Sequence, residues 1–70
     1  MAEPLTWDDS YAIARALRER YKDLSLEEVS LSMIFRWTIA LAGFEDDPNL
    51  ANDSILTAIY REWFEEANPP

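Results

Sequence analysis

The stretch that decides the fold is NDSILTAIYREWFEEA, residues 52–67. Ile55, Leu56, Ile59 and Trp63 recur at helical spacing and form one apolar stripe, which Tyr60 and Phe64 widen. Asn52 suits the N-cap, because its side-chain carbonyl can accept a backbone N–H that the first helical turn leaves without a partner. The pattern predicts a helix from about Asp53 to Glu66, ended by Asn68-Pro69-Pro70. A helix with one apolar face must bury it against another element, so the rest of the chain has to supply that surface.

Upstream, FEDDPNLA at 44–51 reads as a loop. Pro48 disfavours helical geometry at Asp47 and separates the acids from the helix that follows. Before the loop, the sequence predicts a second helix capped by Ser32 and running to about Ala42. Gly43, the only glycine, would take the left-handed position that often follows a helix. Met33, Ile34, Phe35, Trp37, Ile39 and Leu41 make this helix apolar on nearly all sides, as expected of a central element or one covered by a partner. Ser25–Glu28 has capping-box spacing and predicts one short helical turn; Val29–Leu31 reads as a short extended piece. The first helix is expected from about Asp8 to Tyr21. Asp8 is its N-cap candidate, and Thr6, at capping-box spacing from Asp9, competes. Ile13, Leu17 and Tyr21, with Ala14 beside them, form its apolar stripe. Arg15, Arg18 and Lys22 fall on the other side, in the later turns where the helix dipole favours cations. Three helices and a connector make one mainly α domain over residues 1–70, a small bundle or a helix-turn-helix-like unit.

Seventy residues lie near the lower limit for a single core. With no Cys and no His, neither a disulfide nor an ordinary zinc site can help. Three Trp, three Tyr and three Phe must carry much of the packing, each aromatic side chain burying about 150–250 Å². Trp7, Trp37 and Trp63 are therefore expected to be structural. No apolar run is long enough to span a membrane, and Glu3 stands where a secretory signal carries a base. The expectation is a soluble, cytoplasmic monomer. Catalysis is not expected. The chain has no His or Cys for a nucleophile–base pair and no glycine-rich phosphate loop, and it is short for enclosing a substrate.

The formal net charge is −8. Residues 1–30 carry seven acids and four bases, whereas residues 41–70 carry seven acids and only Arg61. Such a surface repels nucleic acid and anionic lipid and attracts cations and basic protein surfaces. Glu45, Asp46 and Asp47 precede a helix N-terminus, where the dipole stabilises a carboxylate by about 0.3–1 kcal/mol; helix electrostatics alone can explain them. Glu65 and Glu66 sit in a last turn, where the dipole disfavours them. That violation points to function, with a frayed, solvated end as the plain alternative. An EF-hand loop is excluded. Counted from Glu45, Leu50 falls on the glycine position and Leu56 on the final Glu; counted from Asp47, Ala51 and Ala58 fall on ligand positions. A metal site would have oxygen ligands alone, Asp46, Asp47, Glu65 and Glu66, and would hold hard cations such as iron weakly and with little selectivity. None of these acids lies on an apolar stripe, so their removal is expected to spare the fold.

Trp7-Asp8-Asp9-Ser10, Ile13, Leu17, Tyr21-Lys22-Asp23, Trp37, Phe44-Glu45-Asp46-Asp47-Pro48, Asn52-Asp53, Ile55-Leu56, Ala58-Ile59 and Trp63 with Glu65-Glu66 together resemble the IscX family. The resemblance covers nearly the whole chain, and its most specific part runs from Phe44 to Trp63. It implies a winged-helix-like fold and a non-catalytic accessory role in iron–sulphur cluster assembly. It also implies an acidic surface that docks on the cysteine desulfurase IscS, and weak binding of Fe2+ or Fe3+ with no tightly held cofactor. By position, the docking role falls on Glu45, Asp46, Asp47, Asp53, Glu65 and Glu66, and also on Asp9. The chain departs from the family at Lys22, where Pro is usual, at Ser32-Met33-Ile34, which lacks an acid, and at Arg15 and Arg18, where acids are common. Binding is thus expected on the acidic second half. Two alternatives stand beside this: a winged-helix nucleic-acid binder using Arg15, Arg18, Lys22 and Arg36, and an iron chaperone.

Overall fold

The computed structural model describes residues 4–67. Three helices, α1 (Ser10–Arg20), α2 (Leu31–Ile39) and α3 (Asp53–Ala67), are joined by two connectors, each holding one 3₁₀ turn, at Leu26–Glu28 and Pro48–Leu50. Asn68–Pro70, expected to end α3, lie outside the described residues. The only β pairing among the described residues is a single parallel bridge, Leu5 to Phe44.

The caps explain most of the boundaries. At α3, Asn52 Oδ1 accepts the Ile55 N–H at 2.9 Å, as expected of an N-cap. At α1 the boundary residue is Asp9, one beyond the expected Asp8, and its side chain caps no N–H. Its carboxylate instead accepts the Thr6 hydroxyl at 3.3 Å, so the Thr6–Asp9 spacing is used, but between side chains. Ser25 caps the Leu26–Glu28 turn through the Glu27 N–H.

Helix α2 begins and ends earlier than its sequence suggests. Its N-cap is Ser30, whose Oγ accepts the Met33 N–H at 3.2 Å, so Ser32 lies inside the helix and Leu31 opens it. The Ser30 N–H points back to Met33 Sδ at 3.4 Å, a weak acceptor where a capping box normally places Glu or Gln. The helix closes at Ile39, and successive turns through Leu41 and Phe44 follow. Gly43 does not adopt the left-handed conformation. It lies in the bridge segment, where its carbonyl accepts the Leu5 N–H at 2.7 Å.

The core consists of Trp7, Ile13, Ala14, Leu17, Ile34, Leu56, Ile59 and Trp63. α1 packs chiefly on α3, and α2 lies mainly against α3. Because α2 residues two apart point about 200° apart, Phe35 and Trp37 serve different aromatic clusters. Phe35 stacks on Trp7 (centroids 6.1 Å), which also meets Phe44 edge-on at 4.8 Å. Trp37 stacks on Tyr21 at 4.2 Å and leans on Trp63 at 6.4 Å. Trp7 and Trp63 are buried as expected, whereas Trp37 is half-buried. Phe64, expected to widen the inward stripe of α3, is 50% exposed instead. The hydroxyl of fully buried Thr38 has no hydrogen-bond partner, an arrangement that costs about 1–3 kcal/mol.

Candidate functional site

The acids of the second half fall into two groups. The first is built by the chain entering α1 and the loop entering α3. The Leu5 N–H donates to the Gly43 carbonyl, and the Glu45 N–H donates to the Leu5 carbonyl at 2.9 Å. The Trp7 N–H donates to Asp46 Oδ2 at 3.0 Å, and its indole Nε1–H donates to the Asp47 carbonyl at 2.8 Å. Asp46 Oδ1 accepts the Asp47 N–H at 2.7 Å. Asp47 Oδ1 in turn accepts the Asn49 N–H at 2.9 Å, capping the turn that Pro48 opens. Asp47 is extended, as a residue preceding proline should be.

This arrangement corrects the expectation that all of these acids are dispensable to the fold. Asp46 is half-buried and joins two parts of the chain 39 residues apart. Nothing in the sequence signals that contact. The residue the sequence reading missed is Trp7, whose two N–H groups both end on the acidic loop. An indole beside a helix start reads only as core.

α1 and α3 point the same way. Trp7, just ahead of α1, touches the loop that leads into α3, and near their far ends Arg18 Nη1 lies 4.0 Å from Glu66 Oε2. Asp8 and Asp9 lead into α1 and Asp53 opens α3, while Glu45, Asp46 and Asp47 lie on the bridged loop, whose Gly43 and bridge partner Leu5 line a cavity with Glu19 and Arg20 of α1. Asp8, Asp9, Glu45, Asp47 and Asp53 are exposed. Asp53 lies in the first turn of α3, where the helix dipole favours a carboxylate.

Glu65 and Glu66 form the second group. Asp53 and Glu65 are twelve residues apart on α3, about 18 Å along the axis at 1.5 Å per residue. Glu65 is exposed, and Glu66 is half-buried beside Arg18. The structure thus does not gather Asp46, Asp47, Glu65 and Glu66 into one metal site. Among the described residues no group of three or more carboxylates is placed to hold a metal ion. A cleft of about 520 Å³ lies beside the second group, lined by Arg18, Tyr21, Lys22, Leu26, Trp63 and Phe64. Its charged lining is Arg18 and Lys22 of α1 together with Glu27, and none of the loop acids. Lys22 itself pairs with Glu19 at 3.6 Å. Among the described residues no helix is long and apolar enough to cross a membrane.

The sequence is similar to an uncharacterised protein of Pseudomonas aeruginosa, with 34% identity over 62 residues, covering 89% of this chain and 94% of that protein. A family model described as iron-sulphur cluster assembly matches residues 5–68. That span takes in the Leu5–Phe44 bridge, all three helices and both acidic groups. The chain belongs to the iron–sulphur cluster assembly family.

Proposed function

We propose that this protein is an IscX-type accessory factor that docks through acidic surface on a basic face of a cysteine desulfurase and tunes sulphur delivery for cluster assembly without catalysing a reaction itself. The observation that carries the reading is the acidic loop of a family member, where Glu45, Asp46 and Asp47 are hydrogen-bonded to the segment or turn beside them, with Asp9 and Asp53 at the starts of α1 and α3. Glu65 and Glu66 extend the surface at the far end of α3. Weak, exchangeable iron binding by exposed carboxylates is a second property of the same surface. The corresponding fold reading is a winged-helix-like domain, supported by the three helices and the Leu5–Phe44 pairing.

Complementary charge acts mainly on association rate and specificity, and it is screened by salt with a Debye length of about 10 Å at 0.1 M. The test is calorimetry of purified cysteine desulfurase against the parent, a variant with Glu45, Asp47, Asp53 and Glu65 changed to Gln or Asn, and the variant Arg15→Glu/Arg18→Glu. The neutralised variant is expected to lose affinity by at least about tenfold at low salt, and the reversed-arginine variant to bind as well as the parent or better. A folded, neutralised variant that binds like the parent would show the acids to serve solubility alone. Preferential binding of duplex DNA by the parent would move the reading to the nucleic-acid alternative.

A further inference from the structure

The loop acids look equivalent in sequence, but the structure separates their roles. We propose that Asp46 is a positioning residue that fixes the acidic loop for docking, while the exposed carboxylates of Glu45 and Asp47 meet the partner. The inference rests on the docking reading and goes further, assigning different parts to adjacent acids.

Three observations carry it. First, Asp46 is half-buried, whereas Glu45 and Asp47 on either side are exposed. Second, both Asp46 oxygens are engaged by backbone N–H groups, Oδ2 by Trp7 and Oδ1 by Asp47, whereas Asp47 has only Oδ1 so engaged, by Asn49. Charge-assisted hydrogen bonds of this kind are about twice as strong as neutral ones, so an incoming cation would have to displace them or share the oxygens. Third, the other links between these two segments, Leu5 to Gly43, Glu45 to Leu5 and the Trp7 indole to Asp47, all end on backbone carbonyls. Asp46 supplies the one side-chain acceptor in this set. It holds the loop to Trp7, whose ring is itself held by Phe35 and Phe44. A loop ordered before it meets its partner avoids the cost of ordering its side chains at association. Glu45 and Asp47 are then presented from a fixed backbone.

The experiment compares the parent with Asp46→Ala, Asp46→Asn and Glu45→Gln. One measurement is amide hydrogen exchange of Trp7 and Asp47 in the free protein. The other is affinity for purified cysteine desulfurase at low salt and near 1 M, where the Debye length falls to about 3 Å. Asp46→Ala is expected to speed Trp7 exchange by about tenfold or more and to lower affinity by a factor that persists at high salt. Asp46→Asn keeps one acceptor oxygen and the side-chain size, so it is expected to fold and to lie between Asp46→Ala and the parent. Glu45→Gln should leave Trp7 exchange unchanged and lose affinity only at low salt. Parental Trp7 protection in Asp46→Asn and Asp46→Ala would overturn the proposal. So would an Asp46→Asn affinity loss that vanishes at high salt, as for Glu45→Gln. Absence of desulfurase binding by the parent would sink the docking reading itself; parental binding with either Asp46 result above would sink only the positioning role.

Discussion

The molecule has two aromatic clusters with acids beside them, and they are held together by different means. In the first, Trp7 packs against Phe35 and Phe44, and its N–H groups are hydrogen-bonded to Asp46 and Asp47. In the second, Tyr21, Trp37 and Trp63 pack face to face or tilted, and the adjacent Glu66 meets only a long ion pair with Arg18 at 4.0 Å. The carboxylates of Asp46 and Asp47 are tied to backbone N–H groups, whereas Glu66 meets a side chain. Counting charge along the chain cannot make this distinction, because every carboxylate contributes equally to the total.

The largest effect should come from the second cluster. Trp63 is 2% exposed, and replacing a buried ring of this size by Ala typically costs about 3–5 kcal/mol, a large part of the stability of a small domain. Trp37, half-buried and stacked on Tyr21, should cost less. Urea denaturation of Trp63→Ala and Trp37→Ala checks this. Equal losses would mean that the stack on Tyr21 matters as much as full burial, and a parental midpoint for Trp63→Ala would mean that this cluster is not core at all.

The next effect contrasts the acids directly. Asp46→Ala removes a charged acceptor from two backbone N–H groups, and hydrogen bonds to charged groups contribute about 1.5–3 kcal/mol. Glu66→Ala removes one partner of an ion pair whose arginine side chain is 49% exposed, and such pairs contribute about 0–1 kcal/mol. Thermal unfolding of the two variants should therefore rank Asp46→Ala well below Glu66→Ala. The reverse order would break the distinction between a built-in and a surface acid.

How much of this was legible can be traced residue by residue. The stripe of Leu56, Ile59 and Trp63 and the Asn52 cap were readable, because helical period and capping are local properties. Ile13, Ala14 and Leu17 were readable for the same reason. The start of α2 was not. Ser25, Ser30 and Ser32 are all candidate caps, and the residue completing the box at Ser30 is Met33, whose sulphur carries no capping signal. Spacing puts Phe64 on the inward face because it does not show how wide a face the neighbouring helices can cover. The acids are legible as charge, and their division into two groups follows from the length of α3, on which Asp53 and Glu65 stand twelve residues apart. The role of Asp46 depends on a hydrogen bond across 39 residues, and no sequence periodicity reports such a contact.

The smallest expected effect tests the backbone beside the first cluster. The lone glycine invites the reading that Gly43 is needed for a left-handed turn, but its φ is not positive. An added Cβ would find the Leu5 side chain at 4.0 Å, an ordinary van der Waals distance. What holds this segment is the pair of hydrogen bonds linking Leu5 to Gly43 and Glu45, and these are backbone groups that alanine also has. Where the native conformation suits alanine, a glycine-to-alanine change restricts the unfolded chain and stabilises by about 0.4–1 kcal/mol. Gly43→Ala is thus expected to raise the urea midpoint slightly, with Trp7 amide exchange unchanged. A loss of more than about 1 kcal/mol would instead indicate a conformation that alanine cannot adopt. The acidic loop would then owe its shape to its glycine as well as to the hydrogen bonds that distinguish its cluster from the second.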